Sequence, residues 1–114
     1  MSEELLRIHA EYQRSLRAKH ARLLALWDAL RTGRGDDGTV VQLRTLLHHL
    51  SGSAGAYGYE VLGENAARLE RTLADWIRDG SGRRCEAAAL CRRCIGDYEE
   101  TERALAAAID AAGR

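Results

Sequence analysis

The chain has 114 residues, enough for one domain with a single core, and its composition is 46% apolar and 30% charged. That balance excludes a disordered chain, and no apolar run approaches the roughly 20 residues needed to cross a bilayer. Seventeen basic residues cancel seventeen acidic ones, so no overall field draws the chain to nucleic acid or an anionic membrane.

The first predicted element covers about the first 30 residues. Leu5, Ile8, Tyr12, Leu16, Leu23, Trp27 and Leu30 recur at threes and fours, with His20 in the gap. Ser2 followed by Glu3 and Glu4 suits a helix N-terminus. A helix this long is expected to bend or break near residues 18–21. The polar run TGRGDDG at 32–38 ends it.

A second helix is predicted from the capping pattern Thr39-Val40-Val41-Gln42, with Val40, Leu43, Leu47, Leu50 and Ala54 inward. Gly58, in AYGY at 56–59, can take the left-handed conformation that closes a helix. The third helix, from about Tyr59 to Asp79, turns Leu62, Ala66, Leu69, Leu73 and Trp76 or Ile77 inward. After DGSG at 79–82, a fourth from about 83 to 112 turns in Ala87, Cys91, Cys94, Tyr98, Leu105 and Ile109. Four amphipathic helices on short loops predict an all-α fold, an antiparallel four-helix bundle forming one domain over residues 1–114.

The second helix carries an anomaly. LLHHLSGSAGAYG at 46–58 places Gly52, Gly55 and Gly58 beside two histidines, and a glycine within a helix costs about 1 kcal/mol relative to alanine. At 100° per residue, His48 stands roughly 140° from the centre of the apolar stripe and His49 roughly 120°, on opposite flanks. Arg44, Ser51, Gly52 and Gly55 share the side of His48. Glycines and serines in a helix can mark close helix packing, and an exposed histidine can be merely solvated. Equally, a histidine over a helix face stripped of side chains suits close approach by a partner protein, whereas a small metabolite would want a concave pocket.

These residues resemble the histidine-containing phosphotransfer (HPt) domain family of multistep two-component signalling. The family pattern, His-x-Leu-Lys-Gly-Ser with a later Gly, Leu, Ala and Leu-Glu, is met by His48-His49-Leu50-Ser51-Gly52-Ser53, Gly58, Leu62, Ala66, Leu69 and Glu70. The match runs without a gap through about 25 residues of two helices. The resemblance implies that His48 Nε2 takes a phosphoryl group from the aspartyl phosphate of one receiver domain and passes it to another. Partners would be receiver domains of a hybrid histidine kinase or a response regulator. His49 falls on the variable position, and Gly52 lets the receiver close over the histidine. One departure stands out: the family lysine three residues after the histidine is Ser51. Arg44, one turn earlier on the same side, is the candidate for a replacement cation.

Histidine as a residue type titrates near neutrality, so it can serve as a nucleophile. The chain has no glycine-rich nucleotide loop and no paired acidic site for Mg²⁺. It is therefore expected to be a carrier with no kinase activity and no cofactor of its own, Mg²⁺ being supplied by the receiver. A helical docking module that carries no phosphate is the alternative.

Cys91 and Cys94, with Cys85 nearby, form a C-x-x-C that could begin a metal or redox site, but both fall on the apolar stripe. His20 is read as a core-edge residue and His9 as solvated. Arg14, Arg17, Lys19 and Arg22 form a basic face able to steer an acidic receiver surface, and Asp97, Glu99, Glu100 and Glu102 a solubilising one. Trp27 and Trp76 are packing anchors. Three cysteines and an acidic, signal-free start are expected of a chain in a reducing cytoplasm. Met1 with a capped first helix leans towards a free-standing chain, and a single exposed acceptor needs no dimer, so a monomer is expected.

Overall fold

A computed structural model describes residues 2–79 and 87–112. Four helices follow in order: α1 (Glu3–Arg31), α2 (Asp37–Ala56), α3 (Glu60–Arg78) and α4 (Ala87–Ala112). Each packs on two neighbours, α1 with α2 and α4, and α3 with α2 and α4, which closes an antiparallel bundle of 51 × 21 × 21 Å. The α2–α3 interface is the largest.

The core is the stripe that the sequence predicts. Leu16, Leu23, Leu30, Leu43, Leu47, Leu50, Leu62, Leu69, Leu73 and Leu105 are all but completely buried. Trp27 stacks on Tyr98 with centroids 4.0 Å apart, joining α1 to α4, while Trp76 and Ile77 are half-buried against the core. On α4, Leu90 rather than Ala87 opens the buried stripe. Thr101 enters the core because its hydroxyl donates to the Asp97 carbonyl on its own helix. The predicted start of the fourth helix at 83–86 lies outside the described residues.

Three expectations need correction. The first helix does not break at 18–21; α1 is one continuous helix of 29 residues. No glycine or proline interrupts it, and Leu16 and Leu23 both reach the core across that stretch. Leu5 and Ile8 are exposed, not inward. His9 already meets Tyr57, the C-cap of α2, so the two turns before it run past the end of α2. The start of α2 is also earlier: Asp36 is the N-cap, accepting from Thr39 N at 3.0 Å, while Asp36 N donates to Thr39 Oγ1 at 3.1 Å. Thr39 serves the capping box from its third position: its amide donates to Asp36 and its hydroxyl accepts from the Asp36 N–H.

Gly58 closes α2 as predicted. Its φ is +86°, its N–H donates to Gly55 O, and Tyr59 N donates to Ala54 O at 2.8 Å. This paired closure sets the tight α2–α3 turn that brings His48 opposite α3.

Candidate functional site

His48 lies on the fourth turn of α2, with its side chain 70% exposed at the edge of the α2–α3 groove. Glu70 comes from α3 and is 17% exposed, held at the groove wall. Its Oε2 is 3.1 Å and its Oε1 3.4 Å from His48 Nδ1. A carboxylate only accepts, so the Nδ1 it faces carries the proton. In the neutral ring the free lone pair then belongs to Nε2, on the opposite side of the imidazole.

Small residues line α3 where it faces α2 beside this pair. A Cβ on Gly63 of α3 would come 3.4 Å from Ser51 O, 3.6 Å from Gly55 N and 3.7 Å from Ala54 Cβ. α3 therefore lies close against α2 just below the histidine. Ala66 is fully buried there and Ala67 half-buried, which keeps the groove shallow.

The glycines beside His48 behave differently. A Cβ on Gly52 or Gly55 would meet nothing within 4 Å. Close packing among the described residues does not explain them, whereas a Cβ on Gly63 would stand in ordinary van der Waals contact with α2. The helix face around His48 is thus bare where nothing in the bundle requires it.

The remaining predicted residues fall into place around this pair. Ser51 turns its hydroxyl back onto the His48 carbonyl at 3.0 Å, so it presents no free donor to the imidazole. Arg44 is exposed and makes no hydrogen bond or ion pair among the described residues. His49 is exposed on the other flank of α2, its ring centroid 6.2 Å from that of His48.

On the side of α1, the basic face is partly committed: Lys19 donates to Ser15 and Arg22 to Gln42 Oε1 at 2.8 Å. Arg14 and Arg17 are exposed. The acidic group on α4 is more than a solubilising surface, since Glu100 pairs with Arg68 and Glu102 lies 3.6 Å from His20 Nε2. Those contacts tie α4 to α3 and α1. His20 is half-buried at the core edge and His9 exposed.

Cys91 and Cys94 are free thiols in the core, 8% and 1% exposed. Burial pushes both thiols up, Cys94 to about 12, which works against the thiolate that metal binding or redox exchange needs. Cys85 lies outside the described residues. Among the described residues no group of three or more His, Cys, Asp or Glu side chains could hold a metal ion.

Glu70 is the residue that the motif contained without revealing its role. The signal was the Leu69-Glu70 pair at the close of the pattern; only folding α3 back along α2 shows that the carboxylate reaches the histidine.

A protein-family model described as the Hpt domain matches residues 3–113. The chain belongs to the Hpt domain family. That assignment covers nearly the whole length and accords with the four-helix architecture. Neither a search of curated proteins nor one of solved structures finds a match. Hpt domains carry out histidine phosphotransfer in phosphorelays and interact there with receiver domains. No helix among the described residues is long and apolar enough to cross a membrane.

Proposed function

We propose that this Hpt domain is a phosphocarrier that takes a phosphoryl group onto His48 Nε2 from a receiver-domain aspartyl phosphate and returns it to another receiver aspartate. The observation that carries the reading is the contact of Glu70 with His48 Nδ1. With Nδ1–H directed at the carboxylate, the Nε2 lone pair attacks phosphorus, the N–P bond forms and the aspartate carboxylate leaves with the P–O bonding pair. Nδ1 keeps its proton, so the ring gains a positive charge as its lone pair is used. Glu70 balances that charge. Transfer onward reverses the same bonds.

Positioning and charge neutralisation dominate phosphoryl transfer. The bare face at Gly52 and Gly55 supplies access, and the receiver supplies Mg²⁺ and the in-line geometry. The domain acts as a cytoplasmic monomer, since one exposed acceptor needs no second copy. It uses no nucleotide and has no kinase activity.

The experiment is transfer of label from a phosphorylated receiver domain to wild type, His48→Gln and His49→Gln. Acid-labile, base-stable label lost only in His48→Gln supports the relay. Label lost only in His49→Gln moves the acceptor by one residue. A receiver that binds wild type and leaves no label on any of the three makes this a docking module.

A further inference from the structure

We infer that Arg44 is the side chain that neutralises the phosphoryl group on His48; the inference rests on the proposed phosphocarrier function. The charge inventory of the groove leads to it. A phosphoryl group brings about two negative charges at neutral pH. The acidic partner already present, Glu70, is committed at Nδ1 and answers the positive ring, so it offers nothing to the phosphoryl oxygens and adds a like charge nearby.

The neighbours on the two helices narrow the choice. One turn after the histidine, Ser51 is neutral and its hydroxyl is spent on the His48 carbonyl. One turn either side of Glu70 on α3 stand Ala67 and Ala74, which carry no charge. Arg68 is held on the α4 side by Glu100 and Asn65. Two exposed cations on these helices remain without a side-chain partner among the described residues, Arg44 and Arg71. At 100° per residue, Arg71 sits opposite the buried stripe Leu62, Ala66, Leu69 and Leu73, on the crest of α3 away from the groove. Arg44 lies four residues before His48, where Cβ atoms are about 5–6 Å apart.

Helix geometry favours the same residue. Side chains lean towards the N-terminus of their helix, so the His48 ring lies over the turn that bears Arg44. A guanidinium there can offer two N–H groups to phosphoryl oxygens.

The test uses the phosphorylated full chain and two readouts. Phosphorus NMR gives the apparent pKa of phosphohistidine in wild type, Arg44→Ala, Arg71→Ala and the double variant Arg44→Ala/Ser51→Lys. Transfer to a receiver is timed for each. Losing a nearby cation raises the apparent pKa, here by about half a unit for an exposed pair, and slows transfer roughly fivefold. Arg44→Ala is expected to show both effects, Arg71→Ala neither, and Ser51→Lys to restore both by placing a cation one turn to the other side. A wild-type titration in Arg44→Ala, or the shift appearing in Arg71→Ala, overturns the inference and leaves the carrier function standing. Failure to label wild type with a competent receiver overturns the carrier function itself.

Discussion

Glu70 Oε2 lies 3.1 Å from His48 Nδ1, although 22 residues and a tight turn separate the two. Gly58 reverses the chain between them in a left-handed conformation, so that α3 runs back along α2. The pairing selects which nitrogen of the exposed ring keeps a lone pair.

Removing that carboxylate should slow uptake of phosphate without unfolding the bundle. Charge-assisted hydrogen bonds contribute about 1.5–3 kcal/mol, and solvent exposure of His48 argues for the lower end, so Glu70→Ala is expected to slow labelling about tenfold. Glu70→Gln keeps an acceptor and should fall between. Nitrogen NMR of the histidines checks the cause, since Glu70→Ala should mix the His48 tautomers. Unchanged labelling rates would confine Glu70 to a structural part.

The bare glycines make opposite predictions for stability and docking. Gly52→Ala and Gly55→Ala place a methyl in open space, so each should stabilise the isolated domain by up to about 1 kcal/mol in denaturant unfolding. Gly52→Leu should fold as well as wild type and bind a receiver more weakly. A loss of stability in the alanine variants would show that the backbone there is not free.

Gly58 is different, because its cost is conformational. With φ at +86°, Gly58→Ala should destabilise the domain by about 1–2 kcal/mol, although nothing lies within 4 Å of the added methyl. Because the turn aligns α2 with α3, the same variant should also loosen the His48–Glu70 contact. Wild-type stability in this variant would mean that the turn relaxes without strain.

The buried thiol predicts an alkaline limit. Cys94 is raised from 9.0 to about 12 by burial, so the folded state favours the neutral thiol. Its contribution is fully present below the unfolded value and is lost as pH rises from about 9 towards 12, where the unfolded chain ionises first. Tyr98, raised from 10.0 to about 12, acts in the same direction. Cys94→Ala should therefore flatten the fall in stability above pH 9. Alkylation of Cys94 in the folded wild type should be slow until the chain unfolds.

The architecture was legible because each helix announces itself twice, by an apolar stripe and by a glycine-bearing break. Leu43, Leu47, Leu50 and Ala54 are buried as their spacing requires. Leu5 and Ile8 continue the same pattern and are exposed, since periodicity reports a face and not whether a neighbour is long enough to cover it. The capping box moved for a related reason: Asp36 and Thr39 are both good N-cap residue types, and sequence spacing does not rank them. His48 and the bare face of α2 were readable from one helix. The role of Glu70 was not, because it depends on how α3 lies against α2 once the chain has turned back.

The most direct test of the central claim is nitrogen–phosphorus correlation NMR on ¹⁵N-histidine-labelled protein after incubation with a phosphorylated receiver domain. A phosphorus coupling at Nε2 of His48, with Nδ1 protonated, is the predicted result. Coupling at His48 Nδ1, coupling at His49, or no coupling from a receiver that binds would contradict it.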